Sequence, residues 1–95
     1  MELAELEAVL RDRLATAPPE SYSASLFRDP ELAQRKIMEE AFELCLELGR
    51  AHAGQGDVRR TAEEAADLVF HVLAGLVGAG VAFDEVLKVL RERRR

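Results

Sequence analysis

Ninety-five residues suffice for one domain with a modest core, so a wide apolar helix face in so short a chain points to self-association. With 48% hydrophobic and 33% charged residues the composition is that of a folded globular chain, and no apolar run approaches the roughly 20 residues of a membrane span. A net charge of −5 argues against a general nucleic-acid binder, which needs a basic surface to release counterions.

The opening MELAELEAVL is acidic and amphipathic, unlike a signal peptide. The lone Cys45 forms no internal disulfide and no CxxC metal site, and it reads as core filling. A cytoplasmic address is the expectation. Over residues 2–15, Leu3, Leu6, Val9, Leu10 and Leu14 recur at helical spacing, and Ala17-Pro18-Pro19 ends that helix. Residues 20–27, polar and aromatic, show no clean period and are expected to form a loop. Asp29-Pro30-Glu31 starts a second helix, with an acid at the N-cap and proline at the first helical position, and it runs to about Ala51. After the Gly54-Gln55-Gly56 turn a third helix begins, capped either by Asp57 or, later, by the capping box Thr61-x-x-Glu64. It continues to about Val77, where Gly78-Ala79-Gly80 stops it. Asp84 caps a short last helix carrying Val86, Leu87, Val89 and Leu90. The basic end, Arg91 to Arg95, reads as a helix C-terminus where cations meet the negative end of the macrodipole. No segment alternates as a strand does. The expected fold is all-α, a four-helix chain.

At about 100° per residue, Lys36, Glu39, Glu40, Glu43, Glu47 and Arg50 share one sector of the second helix, and apolar side chains cover the rest. On the third helix Glu63, Glu64, Asp67 and His71 share a narrow sector in the same way. Solvated outer faces would explain both strips. Such faces normally mix signs at i,i+4, whereas Glu39/Glu43 and Glu43/Glu47 are like-charge pairs that cost energy unless a cation neutralises them. Glu40 and Glu43 stand three apart, as do Glu64 and Asp67, so two antiparallel helices can converge four carboxylates on one point. Hard oxygen ligands of this kind suit Mg²⁺, or alternatively Mn²⁺; zinc would want a cysteine or histidine cluster, and a di-iron bundle would want Glu-x-x-His.

Glu40-x-x-Glu43 followed by Glu64-x-x-Asp67 resembles the ExxE…ExxD signature of the all-α MazG-like nucleoside triphosphate pyrophosphohydrolases. Ser21-Tyr22-Ser23-Ala24-Ser25-Leu26-Phe27, the run Lys36 to Glu43 and the run Glu64 to His71 narrow this. In order and spacing they resemble the phosphoribosyl-ATP pyrophosphohydrolase family, from about Pro19 to Leu90. Family members usually carry threonine at Ser23 and glycine at Met38, departures that touch loop and packing rather than the acids.

The resemblance implies Mg²⁺-dependent hydrolysis of phosphoribosyl-ATP to phosphoribosyl-AMP and pyrophosphate in histidine biosynthesis, in a MazG-like bundle; the wide apolar coverage of the second and third helices adds the expectation that a homodimer completes it. It implies Glu40, Glu43, Glu64 and Asp67 as metal ligands and Glu39 as the group that orients or deprotonates water. Lys36 either contacts a phosphate or pairs along its own helix. Ser21 and Ser25 bind phosphate or cap turns, Tyr22 stacks on a base or plugs the core, and Arg28 is a phosphate contact. His71 serves a carboxylate or touches substrate. Two rival readings are a MazG-like house-cleaning hydrolase, which would share the metal site, and a non-catalytic helical dimerisation module.

Overall fold

The computed structural model describes residues 1–94 and contains five helices and no strand among them: α1 (Leu3–Thr16), α2 (Tyr22–Arg28), α3 (Pro30–His52), α4 (Val58–Ala79) and α5 (Phe83–Glu92). The all-helical expectation holds; the four-helix count does not. The segment read as a loop forms α2, because Ser21 caps it, its hydroxyl accepting from the Ala24 amide at 3.1 Å. A seven-residue helix is too short to show a period, and its buried Ser23 and Leu26 face the rest of the chain.

Asp29 caps α3 as expected, accepting from Glu31 and Leu32. Asp57 caps α4 by accepting from Arg59 and Arg60, so the helix starts at Val58 and the later capping-box start is not used. Asp84 does not cap α5. It lies inside the first turn, and the cap is tertiary: Glu7 of α1 accepts from the Phe83 amide at 2.7 Å. Sequence spacing cannot report a cap supplied from 76 residues away. Arg91 of the basic end faces Asp84 at 3.9 Å, and Arg95 lies outside the described residues.

The turn between α3 and α4 is closed by Gly56, where any Cβ would stand 2.5 Å from the Ala51 backbone. The reversal sets Glu47 beside Arg60, Glu40 beside Glu64, and Ile37 beside Gly75. The rising numbers on α4 against falling numbers on α3 make the pair antiparallel. Helices α1 and α2 pack on the second half of α4. There the core gathers Leu10, Leu26, Ala33, Leu73, Ala74 and Val77, flanked by Phe27, Phe70 and Phe83.

The outer side of α3 has no such cover. Met38 and Phe42 are 72% and 62% exposed, and Cys45, read as core filling, is exposed as well. No single helix is long and apolar enough to cross a membrane among the described residues.

Candidate metal centre

Antiparallel packing brings Glu40 of α3 against Glu64 and Asp67 of α4. One carboxylate oxygen from each lies within 4.8 Å of the other two. Glu64 is buried, Glu40 half-buried and Asp67 exposed, so the group opens to solvent on one side. Burial pushes the Glu64 carboxyl above its ordinary range; Arg60 opposes this, and Glu40, Asp67 and Glu43 add to it. A carboxylate so placed is relieved by a cation. Glu43, the fourth expected ligand, is exposed and outside the three-oxygen set, though near enough to act on Glu64.

The donor chemistry fits a hard divalent ion. Three carboxylates converge, whereas His71, the histidine nearest them in sequence, has both ring nitrogens engaged. Its Nδ1 lies 2.7 Å from the Asp67 carbonyl oxygen, and its Nε2 lies 2.7 Å from the Tyr22 hydroxyl. A carbonyl only accepts, so Nδ1 donates to it, and Nε2 shares a hydrogen bond with the Tyr22 hydroxyl. The set suits Mg²⁺ or Mn²⁺ and is poor for zinc.

Tyr22 is 48% exposed and therefore is not a core plug. Its hydroxyl reaches α4 one turn beyond Asp67, and burial raises its pKa, with Lys36 opposing and Glu40, Glu39 and Asp67 reinforcing. Lys36 pairs with Glu39 at 3.2 Å, one turn along α3, and this hydrogen bond raises the pKa of its ammonium. The Ser25 hydroxyl donates to the Tyr22 carbonyl at 2.6 Å, while the Ser21 oxygen is an acceptor at its cap and keeps its own proton for another partner. Arg28 is turned away to the Pro19 carbonyl at 3.0 Å, where it braces the loop before α2.

The pairing of α3 with α4 gives two further charged groups a place that their own helices do not show. Glu47, one member of the α3 strip, is buried and held by Arg50 of its own helix. Arg60 of α4 reaches across to the same carboxylate at 3.7 Å and to Glu64 at 3.2 Å. The Arg50 partner is legible in the i,i+3 spacing; the Arg60 bridge exists only once the helices are paired.

Residues 3–94 match the family model described as phosphoribosyl-ATP pyrophosphohydrolase. This chain belongs to that family. It is 42% identical over 95 residues to the phosphoribosyl-ATP pyrophosphatase of Pyrobaculum arsenaticum, covering 98% of this chain and 95% of that one. The protein of the same name from Methylobacterium nodulans is 38% identical over 92 residues, covering 96% of this chain and 81% of that one. The histidine biosynthesis bifunctional protein of Schizosaccharomyces pombe is 38% identical over 93 residues, which are 98% of this chain and 20% of that larger one. The matched region exceeds the Pro19–Leu90 span of the sequence resemblance, taking in α1 and most of the basic end.

Proposed function

We propose that this protein hydrolyses phosphoribosyl-ATP to phosphoribosyl-AMP and pyrophosphate, a step of histidine biosynthesis, with Mg²⁺ held by its acidic centre. The observation that carries this reading is the convergence of Glu40, Glu64 and Asp67 in a chain of this family. Mn²⁺ suits the same donors. Glu43 joins the set as a fourth ligand. A metal ion there would neutralise phosphate oxygens and lower the pKa of a bound water.

The remaining work falls to the chain. Glu39, on the exposed side of α3, orients or deprotonates the attacking water, and Lys36 holds its carboxylate in place and adds a positive charge for a phosphate. Tyr22 offers an exposed ring face for a base, its hydroxyl anchored on His71. Ser21 offers its proton to a phosphate oxygen. Ser25 and Arg28 support the α2 backbone through the bonds described above rather than meeting the substrate first.

A homodimer completes the fold. Met38, Phe42 and Leu48 stand on α3 without cover from the chain's own helices, and a two-fold pairing would bury the same face on both copies. A cytoplasmic location is consistent with such a biosynthetic step.

The test is pyrophosphate release with Mg²⁺ from phosphoribosyl-ATP, ATP and dUTP in parallel. The reading expects phosphoribosyl-ATP to be turned over far faster than the other two. Equal rates on all three would replace it with a house-cleaning hydrolase. Absence of turnover, together with no response to millimolar Mg²⁺, would leave a dimerisation module.

A further inference from the structure

Beside the carboxylates lies a second feature that the metal centre does not use. A cleft of about 440 Å³ opens between the end of α1 and the start of α2, lined by Arg13, Thr16, Ser21, Tyr22, Ser23 and Phe70 among others. Its size falls in the range of small-ligand sites. Tyr22 and Phe70 join it to the acidic centre, because Tyr22 is bonded to His71, the residue after Phe70 and one turn from Asp67.

Two polar groups of this cleft have donor capacity to offer. Arg13 is exposed, and its polar contact is one long hydrogen bond, 3.5 Å, to the hydroxyl of the buried Ser23. No carboxylate pairs with it among the described residues, while Lys36, Arg28 and Arg60 each have an internal partner. Ser21, on the same wall, has an oxygen that accepts from Ala24 and a proton left to give. A guanidinium and a hydroxyl proton lining one cleft are donors of the kind that recognise a phosphate monoester.

We propose that this cleft receives the phosphorylated ribose that distinguishes the substrate from ATP, and that Arg13 binds its phosphate. The assignment rests on the function proposed above and adds its specificity. The triphosphate goes to the carboxylates with their metal, and the second anionic end of the molecule goes to the α1–α2 cleft, with the purine between them beside Tyr22. Arg13 then sets selectivity: an analogue without the sugar phosphate leaves its guanidinium without a partner.

Equilibrium binding of phosphoribosyl-AMP and of AMP, each with Mg²⁺, to the wild type and to Arg13→Ala tests this directly. AMP lacks only the sugar phosphate. The wild type should bind phosphoribosyl-AMP more tightly, and Arg13→Ala should reduce that preference by about 10- to 100-fold, the scale of a charge-assisted hydrogen-bonded contact. Arg13→Lys should recover part of it; Arg13→Gln, of similar length without charge, should not. A wild type with no preference, a preference that survives in Arg13→Ala, or an equal loss for both ligands would each overturn the assignment. Binding is read without turnover, so a protein that fails to release pyrophosphate overturns the functional reading and leaves this comparison measurable. Arg13 is exposed on a helix, and unchanged melting of the variants verifies that they fold.

Discussion

Helices α3 and α4 are nearly equal in length, each carries one acidic strip, and each is otherwise largely apolar, yet they are treated very differently by the fold. Over 22 residues α4 buries Glu64, His71, Leu73, Ala74 and Val77; over 23 residues α3 buries only Ala33 and Glu47. The difference lies in the neighbours. α1, α2 and α3 all pack on α4, whereas α3 packs on α4 and α2 and leaves its far side uncovered. Apolar residues therefore meet two fates: a central position in one helix and an uncovered face in the other. The same difference separates the acids, since the carboxylates on α4 are set by a packed helix and those on α3 by one that is free on its outer face.

The largest effect should come from the central helix. Asp67→Asn is expected to cut pyrophosphate release by about 10²- to 10³-fold, the scale of losing one pre-organised electrostatic group. Melting curves with EDTA and with Mg²⁺ check the cause. The wild type should gain roughly 2.7 kcal/mol when Mg²⁺ is at one hundred times its dissociation constant, and Asp67→Asn much less. A variant that responds to Mg²⁺ as fully as the wild type would remove Asp67 from the ligand set.

The outer face of α3 gives the next test. Phe42→Glu places a charge on the proposed dimer surface and should weaken association by about 2 kcal/mol or more, the scale of an interface hot spot. Light scattering should shift from twice the chain mass toward 10.5 kDa. A wild type already monomeric at micromolar concentration would sink the interface, and the exposed residues of α3 would then need another partner.

Tyr22→Phe keeps the ring and deletes the hydroxyl bonded to His71. Leaving Nε2 of a buried histidine without its partner should cost about 1 kcal/mol. Because the link ties α2 to α4, which carries Glu64 and Asp67, the rise in KM should exceed the fall in kcat; a stability loss with unchanged kinetics would confine Tyr22 to a structural part.

The smallest effect is one of pH. The Glu64 carboxyl is raised in the folded protein, so between its ordinary pKa and the folded value the native state holds a proton that the unfolded chain has released. Stability of the metal-free protein should therefore fall as pH rises through that window and level off above it. Glu64→Gln should flatten the slope. Mg²⁺ competes with the proton and should stabilise more at the upper end of the window than at the lower.

Much of this was legible in the chain before any packing. Periodicity and end signals located α1, α3 and α4 closely: Asp29-Pro30 opens α3, Asp57 is a cap of α4, and Gly80 closes α4 in the left-handed region at φ 76°. The pairs Glu40/Glu43 and Glu64/Asp67 were visible because three-residue spacing on a helix puts side chains on one face whatever the helix later touches. Those features depend on neighbours within a turn or two, where sequence and space coincide.

What tertiary structure decided depends on partners distant along the chain. It selected Glu40 with Glu64 and Asp67 as the closest oxygen set and left Glu43 outside it. It gave Glu64 its burial and Glu47 its Arg60 partner, and it brought Tyr22 to His71 across 49 residues. It capped α5 with Glu7 rather than Asp84, and it turned Cys45 and Phe42 outward on a helix whose apolar residues alone did not say which side would be covered. A wheel gives the direction in which a side chain leaves its own helix; only the packing of the other helices determines what stands there to meet it.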